Sequence, residues 1–406
     1  MTKETWRPKR SHDNFSPDEC AEVNPYYKYR PILQIPGSEY TNGPQVSIMT
    51  YNLYHPQEEV DYDASKYTRE QILLFEIARY NPDIICLQEV DDHYRWIERF
   101  AMFGYNMRVA NTNKFHSLAI CYKWELFEEF DHKSISFWSF GTGDVRETFV
   151  TSQGALFVCL RFKPDFLKGH KPPSRDALIV GTTHLPSTKI KMFGRTRDTA
   201  ILLHAIEQFA KSIRNLCEAP YRFYTFVAGD FNSTVDDAAY LSLVSKPVEF
   251  CGRTHRNLIR SIINDQRDQL DEKDSSKVTN EKSMKAIADL EKLHNGINRR
   301  AISLYSIGYR LVHPENSHPL RNEPTFSYCG KKSQSLIDYI FVVAEWDGSA
   351  YTKVDSLERF SWLTQMQLLA LLDMPTVTSM CLKTGQPRVG EYPSDHLCMM
   401  ADLELL

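Results

Sequence analysis

Across 406 residues there is no run of about eighteen apolar side chains, so no membrane-spanning helix is expected. Cysteine is limited to nine residues, an odd number with no CxxC pair and no short metal-ligand spacing. That argues against both a disulfide framework and a zinc site, and points to a reducing compartment. A polybasic character is also missing: the formal net charge is −4, which disfavours a histone-like nucleic-acid binder but leaves room for a local basic groove. The first twenty residues are polar, so a secretory leader is not expected and an intracellular location, cytoplasmic or nuclear, is. GxGxxG, GxxxxGK[ST], HExxH and GxSxG are all absent, which removes the dinucleotide fold, P-loop enzymes, zincins and serine hydrolases of the nucleophile-elbow type. No repeat of 20–50 residues and no Pro/Ser/Gly linker divides the chain.

What is present is ordinary globular composition, 42% hydrophobic and 25% charged. Residues 1–44 are rich in Pro, Tyr and charge without a sustained period and read as an irregular extension. From 45 to 406 strands and helices alternate, as expected of a single α/β domain. Strands are expected at Val46–Leu53, Asp83–Leu87, Leu118–Tyr122, Ala155–Phe162, Ala177–Thr183, Tyr224–Ala228, Leu336–Val343 and Leu397–Leu403. Helices are expected at Thr68–Tyr80, where Thr68 and Gln71 have capping-box spacing, and at Thr196–Leu216. Residues 256–300 carry dense charge of both signs around weak helical runs, which reads as a solvated helical insertion.

The chemistry-bearing residues sit just past the ends of apolar strands. Asn52 follows VSIMTY, Glu89 follows DIICLQ, His184 follows ALIVGTT, and Asp230 and Asn232 follow FYTFVAG. Asp338 stands inside SLIDYIFVV, and Asp395-His396 precede LCMMADL. Taken singly, each has an ordinary explanation: a solvated carboxylate, an Asx turn, an interior histidine. Asp338 is the exception, because a carboxylate within an apolar strand requires a partner. Together, carboxylates, amides and histidines on one rim form an oxygen-rich set suited to a hard cation such as Mg²⁺ and to a phosphate. Lys189, Lys191, Arg195 and Arg197 form a basic cluster after His184 that either tracks a nucleic-acid backbone or is a solvated helix start. Phe193 and Tyr54 are candidates for base stacking, with packing as the plainer reading.

In their order, TYN, LQEV, TTHL, AGDFN, IDYIF and PSDH make residues 45–406 resemble the exonuclease–endonuclease–phosphatase superfamily, in the deadenylase-related branch that includes nocturnin and the Angel proteins. The tail GQPRVGEYPSDHLCMMADLEL is most similar to the fungal RNA exonucleases of that branch. The resemblance implies a two-sheet α/β sandwich with helices on both outer faces. It also implies Mg²⁺-dependent phosphoester hydrolysis, with Mn²⁺ as a substitute ion. By motif, Glu89 is the principal metal ligand, Asn52 supports the metal region and Asp395 lies at the metal side. Asp230 serves as base or water-orienting group, assisted by Asn232. His184 and His396 face the scissile phosphate, Asp338 bonds His396, and Lys123 is a retained substrate contact.

There are departures. Tyr54 occupies a place where other superfamily members have Asp and the deadenylase branch has an uncharged residue. Leu336-Ile337-Asp338-Tyr339 replaces the Trp-Cys-Asp-Arg run of inositol phosphatases. Ser333 and Pro186-Ser187-Thr188 replace a stacking Phe and a Trp-Asp-Pro run of poly(A)-specific members, which disfavours strict poly(A) specificity. The leading expectation is a 3′–5′ exoribonuclease acting on single-stranded RNA ends. The alternatives are a phosphatase on nucleotides or on terminal 2′ or cyclic phosphates, and a catalytically silent RNA- or protein-binding module using residues 256–300 as a partner surface.

Overall fold

The computed structural model describes residues 28–54, 69–111, 117–137, 153–188, 191–217, 221–267, 280–348, 354–380, 385–388 and 392–406. Two sheets face each other. The first has seven strands: β1 (Ile32–Gln34), β2 (Gln45–Asn52), β3 (Ile84–Val90), β4 (Tyr105–Asn111), β5 (Ser117–Lys123), β14 (Met366–Leu372) and β15 (Met399–Leu405). Their spatial order is β1-β14-β15-β2-β3-β5-β4. The second has six: β6 (Phe127–Ser136), β7 (Gly154–Phe162), β8 (Ala177–His184), β9 (Phe223–Asp230), β10 (Arg299–Ser303) and β13 (Asp338–Glu345). These run in the order β10-β13-β9-β8-β7-β6. A two-residue pair, β11 (Tyr328–Cys329) and β12 (Gln334–Ser335), forms a small hairpin beside the rim.

The continuous apolar run of β3 follows from this layering. Ile84 and Cys86 point into the core between the sheets, while Ile85 and Leu87 pack outward beneath helices 69–80 and 93–102 through Leu73, Ile77, Trp96 and Phe100. A strand covered on both faces has no place for alternating polar residues. On the other side, the 25-residue helix Met192–Leu216 covers the six-stranded sheet with Leu202, Ile206, Phe209 and Ile213. The α/β sandwich expected from the sequence is therefore the fold observed. Cys86, Cys121, Cys159 and Cys398 are buried free thiols; the first three pack as small apolar groups, while Cys398 Sγ accepts from Arg30 Nη2 at 2.7 Å. Among the described residues no helix is long and apolar enough to cross a membrane.

Two segments differ from the sequence reading. Residues 1–44 are not irregular throughout: Ile32–Gln34 adds an edge strand antiparallel to β14. Arg30 is buried, donating to Glu76 Oε1 at 3.2 Å and to the Cys398 carbonyl at 2.9 Å. A three-residue strand is too short to show periodicity, so only the tertiary partner reveals it. The 256–300 region is helical at 252–267 and 280–295, but Arg299 and Arg300 belong to β10. Nor is it fully solvated. Leu258, Ile262, Ile287 and Leu290 build a small core with Phe193, Val248 and Phe250, which gives Phe193 a packing role and removes it from base stacking.

Candidate active site

Strand direction delivers the polar residues to one rim. β2 and β3 are parallel in the first sheet and β8 and β9 in the second, and the Asn52–Asp230 and Gln88–Thr182 hydrogen bonds between the sheets bring all four strand ends to the same side. His184 is paired with Asp230 across β8 and β9, and Asp338 with Asp230 across β13 and β9. Gly229 permits this approach, since a Cβ there would lie 2.2 Å from the Thr183 carbonyl oxygen. Gln88 links the two sheets beneath the rim, donating to Thr182 Oγ1 at 3.0 Å. After it, a bulge in β3 interrupts the ladder and Glu89 takes a left-handed conformation (φ 55°), turning its carboxylate inward.

Asp230 Oδ2 is the focus of the site. Asn52 Nδ2 donates to it at 3.1 Å, and His184 Nε2 and His396 Nε2 lie 3.3 and 3.7 Å away. Asp230 Oδ1 accepts from the Asn232 backbone N–H at 2.9 Å. Asn232 has φ 47° and its side-chain amide donates to the Leu185 carbonyl at 2.8 Å, so it closes the turn that aims Asp230. The other Asn52 amide hydrogen reaches Glu89 Oε1 at 3.0 Å, while Asn52 Oδ1 accepts from the Tyr54 N–H. Asn52 thus holds the Glu89 and Asp230 carboxylates together.

Behind His396 stands Asp338, 1% exposed, whose Oδ2 accepts from His396 Nδ1 at 2.8 Å and from Ser327 Oγ at 2.6 Å. This engages Nδ1 and leaves Nε2 directed toward Asp230. Burial lowers the His396 pKa, but the carboxylates of Asp338 and Asp230 outweigh it and raise the pKa well above the ordinary imidazole value. Burial raises the Asp230 pKa above the usual carboxylate value against the opposing pull of His184 and His396. Asp395 is pushed up to about 6 by burial, opposed by His396 and reinforced by Glu89 and Asp230.

The residues suit a hard cation. Asp395 Oδ1 is buried without a hydrogen-bond partner, and burial together with its acidic neighbours Glu89 and Asp230 raises its pKa despite His396 nearby. Asp230, Asp338 and His396 also present ligand atoms within 4.8 Å of one another, which could hold an ion. In that trio His396 Nδ1 is already engaged by Asp338, so the Glu89–Asp395 side is the better seat for an oxygen-seeking ion.

A family model described as the Endonuclease/Exonuclease/phosphatase family matches residues 49–396, spanning Asn52 to His396. The chain belongs to this family. It is 32% identical to the RNA exonuclease NGL2 of Saccharomyces cerevisiae over 420 aligned positions, covering 93% of this chain and 81% of that protein. The Schizosaccharomyces pombe protein named probable RNA exonuclease C9B6.11c is 25% identical, with 95% and 82% coverage. The fold matches that of ANGEL2, a 2′,3′-cyclic phosphatase solved with adenosine-2′,3′-vanadate, at TM-score 0.59, 19% identity and coverage of 93% and 99%. These place the chain in the deadenylase-related branch of the family.

Three sequence expectations for substrate contacts do not survive in this family member's structure. Arg195 is 2% exposed and donates to the Pro186 and Thr188 carbonyls and to Asp237 Oδ2 at 2.9 Å, fastening the loop after His184. Arg197 is 4% exposed and bonded to Asp198. A charged run at a helix start looks the same in sequence whether it faces water or buried carboxylates. Lys123 lies at the opposite end of the sheet, on Asn81 O and Asp83 Oδ1, because β5 runs antiparallel to β3. Lys189 falls outside the described residues. Conversely, the sequence reading missed Ser327, which fixes Asp338, and Tyr328, whose ring centroid is 5.1 Å from that of His396. Nothing in the local sequence distinguishes either.

Proposed function

We propose that this chain is a 3′–5′ exoribonuclease acting on single-stranded RNA ends, with Mg²⁺ as its ion and Mn²⁺ as a substitute. The observation that carries the reading is the Asp338–His396 pair set against His184 across Asp230 Oδ2. Relatives named as RNA exonucleases supply the substrate class.

Glu89 and Asp395 would hold the ion, which would supply Lewis-acid neutralisation of charge on the phosphoryl oxygens and on the departing 3′ oxygen. The chain's own groups do the rest. His396, held cationic by Asp338, donates from Nε2 to a non-bridging oxygen as charge builds there. His184 is a second donor from the neighbouring strand. Asp230, made more basic by burial, takes the proton of the attacking water, and Asn232 and Asn52 fix its two oxygens in place. Tyr328, beside His396, and Tyr54 offer aromatic faces to a terminal base.

The test is product analysis with RNAs of different 3′ ends, in Mg²⁺ and in EDTA. The expected result is a ladder of nucleoside 5′-monophosphates that requires the ion. Release of inorganic phosphate, or a single end-group loss without shortening, would replace this reading with the end-phosphatase alternative.

A further inference from the structure

A cavity of about 360 Å³ opens at edge strand β10, away from the active-site rim, and is lined by Lys246, Arg300, Ser303, Ser306 and Arg321. Its cations are placed where cations are costly. Lys246 is 6% exposed and Arg300 3%. Arg300 Nη2 donates to the Val244 carbonyl at 3.1 Å, but its Nε and Nη1 are buried with no hydrogen-bond partner. Lys246 Nζ donates to the His294 carbonyl and sits 5.2 Å from the Trp346 ring centroid, neither of which is an anion. The acidic groups nearby are Asp347, whose field reaches Arg300, and Asp355 at the cavity mouth, both solvent-exposed, and the fully buried Glu323, which is hydrogen-bonded by Ser303 and Tyr240 of the lining. Burial and then the Arg300 charge push Lys246 down to about 8; burial and then Arg359 push Arg300 down to about 10.

The backbone adds to this positive field. Ser303 caps the nine-residue helix Leu304–Val312, and its first turn, through Ser306, faces the same space. A helix N-terminus carries partial positive charge and free N–H groups. Unpaired guanidinium donors and a second buried cation thus line one recess beside a helix start, and neither cation has a carboxylate as a hydrogen-bond partner.

We propose that this cavity is a binding site for a small phosphate-bearing molecule, its phosphate group held by Arg300 and Lys246. The volume lies in the range of small-ligand pockets, leaving room for a group attached to the phosphate. Because both cations are recessed, the site suits a compact ligand and not a continuous strand. It is independent of the reading given to the rim.

The experiment is thermal unfolding and titration calorimetry of the full chain in EDTA, with inorganic phosphate or adenosine 5′-monophosphate against chloride of equal ionic strength. The expected result is a rise in Tm of about 3 °C at roughly 100-fold excess over Kd. Arg300→Met should keep or raise the ligand-free Tm, retain RNA hydrolysis and lose about tenfold or more in phosphate affinity. Lys246→Met should weaken binding similarly, which keeps the test valid if Arg300→Met fails to fold. A response to phosphate alone assigns the free anion; a response to the nucleotide alone assigns the attached base as well. No response beyond chloride, a response that survives both substitutions, or tighter binding of an oligoribonucleotide than of either small ligand would overturn the proposal.

Discussion

Asp338→Asn is the substitution that separates an aimed histidine from a merely buried one. The change keeps the side-chain shape but removes the charge to which His396 Nδ1 donates at 2.8 Å. A hydrogen bond to a charged group is worth about 1.5–3 kcal/mol, and about 1.36 kcal/mol corresponds to a tenfold rate change. If that interaction is realised in the transition state through the His396 imidazolium, kcat should fall by about 10- to 150-fold. The raised His396 pKa depends on Asp338 and Asp230, so the basic limb of the pH–rate profile should also move to lower pH. His396→Ala should remove the same contribution by another route. Adding Asp338→Asn to His396→Ala should therefore cost less than about threefold more, the non-additivity of residues acting as a unit. The assay is single-turnover cleavage of a labelled RNA across pH, with circular dichroism to confirm folding. Fully additive losses, or an unmoved basic limb, would refute the coupling and return Asp338 to a packing role.

Glu89→Ala should reduce Mg²⁺-dependent turnover by about 10²–10³-fold while leaving the metal-free Tm near wild type, measured by RNA cleavage and calorimetry. Asp395, raised from 3.8 to about 6, favours its protonated form in the fold, so metal-free stability should fall as pH rises through that window, by about 3 kcal/mol in full. Asp395→Asn should accordingly raise the metal-free Tm at pH 7.5 by about 3 °C and abolish the stabilisation by added Mg²⁺, whereas an unchanged Mg²⁺ effect would remove Asp395 from the ion site. His396 acts in the same direction: its raised pKa stabilises the fold fully below about 6.5 and is lost as pH rises through the folded value, a loss that should vanish from the pH–stability curve of Asp338→Asn. Arg195→Ala breaks a buried pair with Asp237 and should cost about 3–5 kcal/mol in urea unfolding, yet leave the salt slope of RNA binding unchanged; a flattened slope would restore it as a phosphate contact.

Several features of this protein were decided by local composition alone. The DIICL run had to be covered on both faces, and a carboxylate set in LIDYIF had to find a partner, because neither could remain stable against water or hydrocarbon otherwise. Polar residues following such strands were bound to meet on one rim once the strands ran parallel, and Asn52, Glu89, His184, Asp230 and Asn232 do so, with Asp338, Asp395 and His396 arriving beside them. Tertiary structure decided what had no local energetic signature. Arg195 and Arg197 read as backbone contacts to a nucleic acid or as a solvated helix start, and only the arrival of Asp237 at one and the geometry of Asp198 at the other buried them. Lys123 kept its place in the chain but was carried to the far rim by an antiparallel strand. Ile32–Gln34 became a strand because β14 offered it an open edge, and Ser327 became the anchor of Asp338 through a contact eleven residues away. The division has one physical cause. Hydrophobic burial and the cost of an unpaired charge are properties of a residue and its immediate neighbours in the chain, whereas the partner that satisfies a charge or an edge is supplied from elsewhere, by the direction and register of distant strands.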